Sequence, residues 1–419
     1  MTILHTFWIP YEKGYKSPEL NGINVWLQRL QANANEDALL RSINLGCCDG
    51  PFTPPDWVDE WATGLGEGNR LLHRLLPTAD LLAINGCYDW LSVIASSRRL
   101  MAGRPPTIAF VHNDNEFEYY LPLMYFESLI DHFVAVSPEC AAHLAERLPS
   151  RHADISVLPY FVPTPKLIDA EPHKTSSRLD KLRLLYAGRV QQTQKRVFDF
   201  VALMEKLVEI GIPASLTVCG DGIDLERLRT LFCEKQLGEH VEFWGCIAPD
   251  QIGRVMRDHD VFVQVSEFEG TSTSMLEALA NGLPPVVTHA SSGIDGIVCD
   301  GENGFVVPVG NMDLLADRLA TIYRSPQLFE KLRIAAINTG REYGWPNYQK
   351  RLSDICQAAI QAAKSASRVC SIEPVPAKVP WARCWFANQE RQSGRLDHIP
   401  LPASARRLLR NLRRILSGS

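Results

Sequence analysis

Short, β-rich apolar runs alternate with helix-length amphipathic segments along most of this chain, and no other feature restricts the fold as strongly. In the first half the strand candidates are "TILHTFWI", "LLAING", "TIAFVHN", "HFVAVS" and "ISVLPYF". The segment "INVWLQRLQANA" reads as a helix between the first pair, and "PECAAHLAERLP" as a helix between the last pair. The second half repeats the rhythm with "LRLLYAG", "ASLTVCG", "VEFWG", "VFVQVS" and "PPVVTH", separated by stretches such as "FDFVALMEKLVEIG". Strands that alternate with helices of this length form parallel sheets with crossover helices. Two such series predict an α/β chain with two doubly wound, Rossmann-like domains. Ligands of open α/β sheets sit beyond the carboxyl ends of the strands, so the cleft between two facing sheets is the expected site.

Length agrees with this division, because 419 residues exceed one ordinary domain. The stretch Val162 to Lys181, rich in proline, lysine and polar residues, reads as the interdomain linker. The expected boundaries are a first domain over 1–165, a second over 166–344, and an irregular tail over 365–419. The tail ends in a segment with a helical period. Ala405, Leu408, Leu409, Leu412, Ile415 and Leu416 share one stripe, and Arg406, Arg407, Arg410, Arg413 and Arg414 lie off it. Such a basic amphipathic helix either lies on an anionic bilayer or docks on its own domain or a partner chain, and composition does not separate the two.

With 46% hydrophobic and 22% charged residues and a net charge of −5, a general polyanion binder is not expected, so nucleic acid is not an expected partner. The eleven cysteines show no C-x-x-C pair and no cluster with metal-ligand spacing. No signal-peptide pattern opens the chain, and no apolar run approaches a membrane span. Reduced thiols and a cytoplasmic location, soluble or peripheral on the cytoplasmic face of a membrane, are the expectation.

Three stretches carry chemistry. In "LRLLYAGRVQQTQKR" a strand ends in Gly188, and Arg189 and Lys195 then place two cations at the carboxyl edge of the sheet. Such a pair suits a diphosphate, although surface loops carry basic residues routinely. In "SEFEGTSTSMLEALANG" a strand passes into a helix with capping hydroxyls at its start and Asn281-Gly282 as its stop. The helix start is an anion site. Glu269 before it and Glu277 about two turns along can flank one elongated ligand, or be a dipole partner and a solvent-facing residue. In the first domain His112 ends the strand "TIAFVHN" at the cleft edge, either as a structural hydrogen-bonder or as a site residue. "LNGINVW" puts Asn21-Gly22 before a helix, where backbone can approach a ligand or simply turn. "LTVCGDGIDL" carries Gly220 and Gly222 without a third glycine at Leu225, which favours a tight turn over a dinucleotide fingerprint.

In this order, Gly188-Arg189 with Lys195, then "VCGDG", "VEFWG", "SEFEGTSTSMLEALANGLPPVV" and "DGENGFVV" resemble the retaining glycosyltransferases of the GT-B fold. More specifically they look like glycosyltransferase family 4, the glycosyltransferase group 1 type. The match is close over about Leu182 to Leu319, and the Glu269-x7-Glu277 spacing is its sharpest element. The first domain is similar more loosely, through "HTFWIP", "FVHNDN", "FVAVSPECAAHL" and "ISVLPYF". The resemblance implies that Arg189 and Lys195 bind the donor diphosphate and that Glu269 holds hydroxyls of the transferred sugar. It further implies that amides of Gly270, Thr271 and Ser272 contact that sugar or the phosphate, and that Glu277 binds the ribose. His112 would sit near the anomeric carbon, Gly22 near the ligand, and Cys246-Ile247 beside the base. The segment 345–364 is the candidate helix that crosses back to the first domain. The implied reaction transfers a hexose-type sugar from a UDP- or GDP-sugar to a glycan, polysaccharide or lipid-linked acceptor, with no metal or other cofactor. The chain departs from the family pattern at Arg196, where glycine is common, at Tyr160-Phe161 in place of Asn-Gly, and at the reduced Asn21-Gly22. The rival readings are a catalytically inactive glycosyltransferase-like subunit docked through its tail, and an NAD-type oxidoreductase.

Overall fold

The computed structural model describes residues 1–8, 22–35, 41–47, 56, 58–62, 65–86, 89–95, 104–163, 180–290 and 293–365. Most of the expected linker and the whole basic terminal segment lie outside them. Among the described residues no helix is long and apolar enough to cross a membrane.

Two parallel sheets account for the architecture. The first contains β1 (Thr2–Trp8), β2 (Arg41–Cys47), β3 (Glu60–Ala62), β4 (Leu81–Asn85), β5 (Thr107–Val111), β6 (His132–Ala135) and β7 (Ile155–Val157). Their spatial order is β3-β2-β1-β4-β5-β6-β7. The second contains β8 (Leu182–Ala187), β9 (Ala214–Cys219), β10 (Val241–Gly245), β11 (Val261–Gln264), β12 (Pro285–Thr288) and β13 (Phe305–Val307), in the order β10-β9-β8-β11-β12-β13. The strand order therefore reverses between β1 and β4 in one sheet and between β8 and β11 in the other. These are the switch points at which such sheets take ligands. The α/β expectation and the two doubly wound layers hold.

Strands β2, β3 and β13 are absent from the expected set. "RSINLGC" hides its strand character behind polar residues, yet Ser42 and Asn44 are buried and the Asn44 backbone N–H donates to Asp59 Oδ2 at 2.7 Å. Pairing with β1 over seven residues decides the conformation there, against local propensity. Strands β3 and β13 have three residues each, too few for a period to show.

The helix Trp345–Ser365 docks on the first sheet. Arg351 donates to the Val157 carbonyl at 2.8 Å, and the Phe161 ring packs against Trp345 and Tyr348 at 5.0 and 4.8 Å. Tyr348, Leu352, Ile355, Cys356 and Ala359 enter one buried apolar cluster with Trp26 and Phe110 of the first domain and Met275 and Leu279 of the second.

Candidate active site

Strand ends at the two switch points bring the site together. After β8 the chain turns at Gly188. Gly220 and Gly222, the pair in "CGDG", lie against it: a Cβ on Gly220 would sit 1.9 Å from the Gly188 carbonyl oxygen, and one on Gly222 2.2 Å from that of Val190. Close backbone packing therefore accounts for both glycines.

The loop after β11 is fastened on three sides. Its Glu267 amide donates to the Gln194 carbonyl at 2.8 Å, and Gln194 Nε2 donates to the Phe268 carbonyl at 3.2 Å. Both bonds tie it to the short helix Gln192–Lys195. Thr288 holds the Ser266 carbonyl at 2.7 Å. The third anchor lies in the first domain, where Thr271 Oγ1 donates to the Val136 carbonyl at 2.6 Å. Gly270 meets the His112 backbone so closely that a Cβ would lie 2.1 Å from its carbonyl oxygen. Ser272 caps the helix Thr273–Ala280, accepting from the Met275 amide, and its hydroxyl donates to Gln264 at 2.7 Å.

On this frame Lys195 Nζ and Glu269 Oε1 meet at 2.5 Å, and Ser266 Oγ donates to the same oxygen at 2.6 Å. The Glu269 side chain is 6% exposed and that of Lys195 16%, so a buried carboxylate has its counter-charge in place. Arg189 is exposed and donates to Gln191 Oε1 at 3.2 Å. Glu277 is buried, which removes the solvent-facing alternative, and it pairs with Arg29 of the first-domain helix Gly22–Asn35. Gly22 begins that helix, and Asn21 lies outside the described residues. Cys246 and Ile247 follow β10 directly, the first exposed and the second half-buried. Glu267, half-exposed, pairs with Arg196 at 2.6 Å. Arg196 itself has φ +48°, the left-handed conformation that favours glycine, and is held there by Asp199 at 2.8 Å.

His112 follows β5 and is buried. Its Nδ1 lies 2.7 Å from the Tyr160 hydroxyl and its Nε2 3.2 Å from Asn85 Oδ1. Asn85 is oriented by two carbonyls, since Nδ2 lies 3.3 Å from both Thr6 O and Ala83 O. An amide nitrogen facing carbonyls leaves Oδ1 toward His112, so Nε2 carries the proton and Nδ1 accepts from Tyr160. Burial, reinforced by neighbouring His5, lowers the His112 pKa from 6.5 to about 3. The ring is neutral with both nitrogens engaged, and its backbone carbonyl is what meets the loop. Asn85, Arg29 and Ser266 were not among the expected site residues. Asn85 had a signal, as the last residue of a strand at the switch point.

A separate group lies along the same first-domain edge: Asp114, Glu139 and His143 bring ligand atoms within 4.8 Å of one another. Asp114 already accepts from Tyr120 at 2.6 Å and contacts His143 at 2.9 Å.

Residues 168–342 match the family model described as glycosyl transferases group 1. The poly(glycerol-phosphate) alpha-glucosyltransferase of Bacillus subtilis (strain 168) is 24% identical over 220 residues, 51% of this chain and 32% of that enzyme. The match spans 31% to 48% of the length of the first curated relatives. Among solved structures, sucrose-phosphate synthase from Thermosynechococcus elongatus superposes with a TM-score of 0.69 at 16% identity, covering 86% of this chain and 99% of that one. Anabaena HepE, solved in complex with UDP, superposes with a TM-score of 0.65 at 14% identity, covering 85% and 100%. Residues 168–342 thus match a glycosyl transferase group 1 domain, within a chain of the GT-B fold.

Proposed function

We propose that the protein is a retaining glycosyltransferase that moves a hexose-type sugar from a UDP- or GDP-sugar to a glycan, polysaccharide or lipid-linked acceptor. The observation that carries this reading is the meeting of Lys195 and Glu269 at the β8/β11 switch point, on a loop seated against His112 of the first domain. The UDP in the HepE structure supports a nucleoside diphosphate as the donor's core.

In this reading Lys195 and Arg189 neutralise the diphosphate as it leaves, and the start of the Thr273–Ala280 helix contributes amides. Glu269 then exchanges Lys195 for sugar hydroxyls, and Glu277 takes the ribose. Cys246 and Ile247 border the base. The acceptor attacks on the face that the diphosphate leaves, so positioning and leaving-group support carry the rate without a protein nucleophile. No resident metal is assigned a part. A screen of UDP- and GDP-sugars for hydrolysis and transfer, run with and without a chelator, tests the reading. Activity with one donor class, insensitive to chelation, is expected. Glu269→Ala should lower that activity on the order of 10²-fold, as misplaced substrates do. An active wild type with an unimpaired Glu269→Ala would remove the sugar site from Glu269.

The arginines between 406 and 414 fit an acceptor presented at an anionic membrane surface. Deletion of residues 403–419 should then abolish sedimentation with phosphatidylserine vesicles at low salt, and unchanged sedimentation refutes the membrane role.

A further inference from the structure

The ion pair between Arg29 and Glu277 joins residues 248 positions apart and bridges the two domains. Each side chain is 10% exposed. Arg29 Nη2 also lies 3.5 Å from the carbonyl of Pro249, in the segment that follows Cys246-Ile247. The carboxylate that the proposed function assigns to ribose therefore has a guanidinium on it, supplied by the opposite domain.

Physical chemistry makes this occupancy consequential. A buried carboxylate without a partner is costly, and Arg29 supplies the counter-charge for Glu277. A vicinal diol, however, donates to both carboxylate oxygens, and Arg29 already takes Oε1. Ribose and Arg29 compete for one group.

We propose that Arg29 gates the nucleoside pocket: paired with Glu277 it closes the pocket across the cleft, and ribose hydroxyls must displace it from that carboxylate. The proposal rests on the reading of Glu277 as the ribose ligand. Donor entry then breaks a link between the domains and frees the Gly22–Asn35 helix from the second domain at that point. A plain interdomain clamp would show the same ion pair but would not compete with nucleotide.

Calorimetric titration of the full chain with UDP and with GDP separates these cases. Arg29→Gln keeps the shape and removes the charge, so the nucleotide that binds wild type should bind about tenfold more tightly, equivalent to about 1.4 kcal/mol. Arg29→Lys keeps the charge but loses the forked geometry. It should tighten binding by a smaller factor, and it carries the test if the glutamine variant does not fold. Glu277→Gln should weaken binding, and adding Arg29→Gln to it should change nothing further. Unchanged or weaker binding in both Arg29 variants overturns the gate, as does equal tightening in the Glu277→Gln background. If Glu277→Gln leaves affinity intact, or wild type binds neither nucleotide, the ribose reading falls and the gate falls with it.

Discussion

At the residue scale, His112 and its neighbours show how burial sets chemistry. His5 and His112 are both buried, and burial lowers both pKa values from 6.5 to about 3. Between those values the unfolded chain binds protons that the folded chain does not, so stability falls as pH drops from 6.5 toward 3. Each histidine contributes a slope of up to about 1.4 kcal/mol per pH unit. His112→Gln should therefore reduce the acid slope of urea-unfolding free energy by close to one proton, and an unaltered slope would mean that His112 is protonated in the native state. Arg196 teaches a related lesson. The resemblance implies glycine where this chain has a bulky arginine, but only the structure shows that Arg196 adopts the glycine-like φ and is restrained by Asp199 and Glu267. Glu269 stood out in the sequence as a carboxylate beside a capped helix start, eight residues before Glu277. Arg29 did not, since nothing local marks one surface-type cation on an amphipathic helix as the partner of a carboxylate in another domain.

At the scale of elements, the loop between β11 and the Thr273–Ala280 helix is the part that both domains hold. Gly270 is essential to it, because the backbone of His112 occupies the place of a side chain. Gly293 presses from the other side: with φ +83°, its Cβ would lie 2.0 Å from the Gly270 carbonyl oxygen. Gly270→Ala cannot be relieved by a rotamer change, so the loop must move away from the first domain. Activity should fall about 10²-fold through misplacement of Glu269, with the second domain still folded by circular dichroism. Full activity would show that the contact with His112 is dispensable. Helix caps and stops were readable here, Ser272 and Asn281-Gly282 included, because capping is local chemistry. Strand β2 was not, because what holds it lies elsewhere in the chain: its pairing with β1 and the Asp59 carboxylate that accepts from the Asn44 backbone N–H.

At the scale of the whole molecule, the final helix ties the end of the second domain to the first. Leu352 is fully buried in the cluster that holds Trp26, Phe161 and Tyr348. Leu352→Ala should cost about 2–5 kcal/mol through lost burial and the cavity left behind. A lower denaturant midpoint for the first domain is the measurement, and an unchanged one would show that the helix is not part of that core. Stabilisation of this kind also holds the two switch points toward each other, which is the condition for a site built from both sheets.

By itself the sequence determined the alternation of strands and helices, and hence two parallel, doubly wound sheets, because period and length are properties of contiguous residues. It also determined which short stretches carry cations, carboxylates and capping hydroxyls at the carboxyl edges of strands. The tertiary structure alone decided how those groups are paired: Lys195 with Glu269, Arg29 with Glu277, and His112 between Asn85 and Tyr160. Pairing depends on distances between residues far apart in the chain, and burial then sets what each pair costs to break. The E-x7-E segment names two carboxylates, and only the folded chain shows that each already has its own cation, one of them reaching across the cleft.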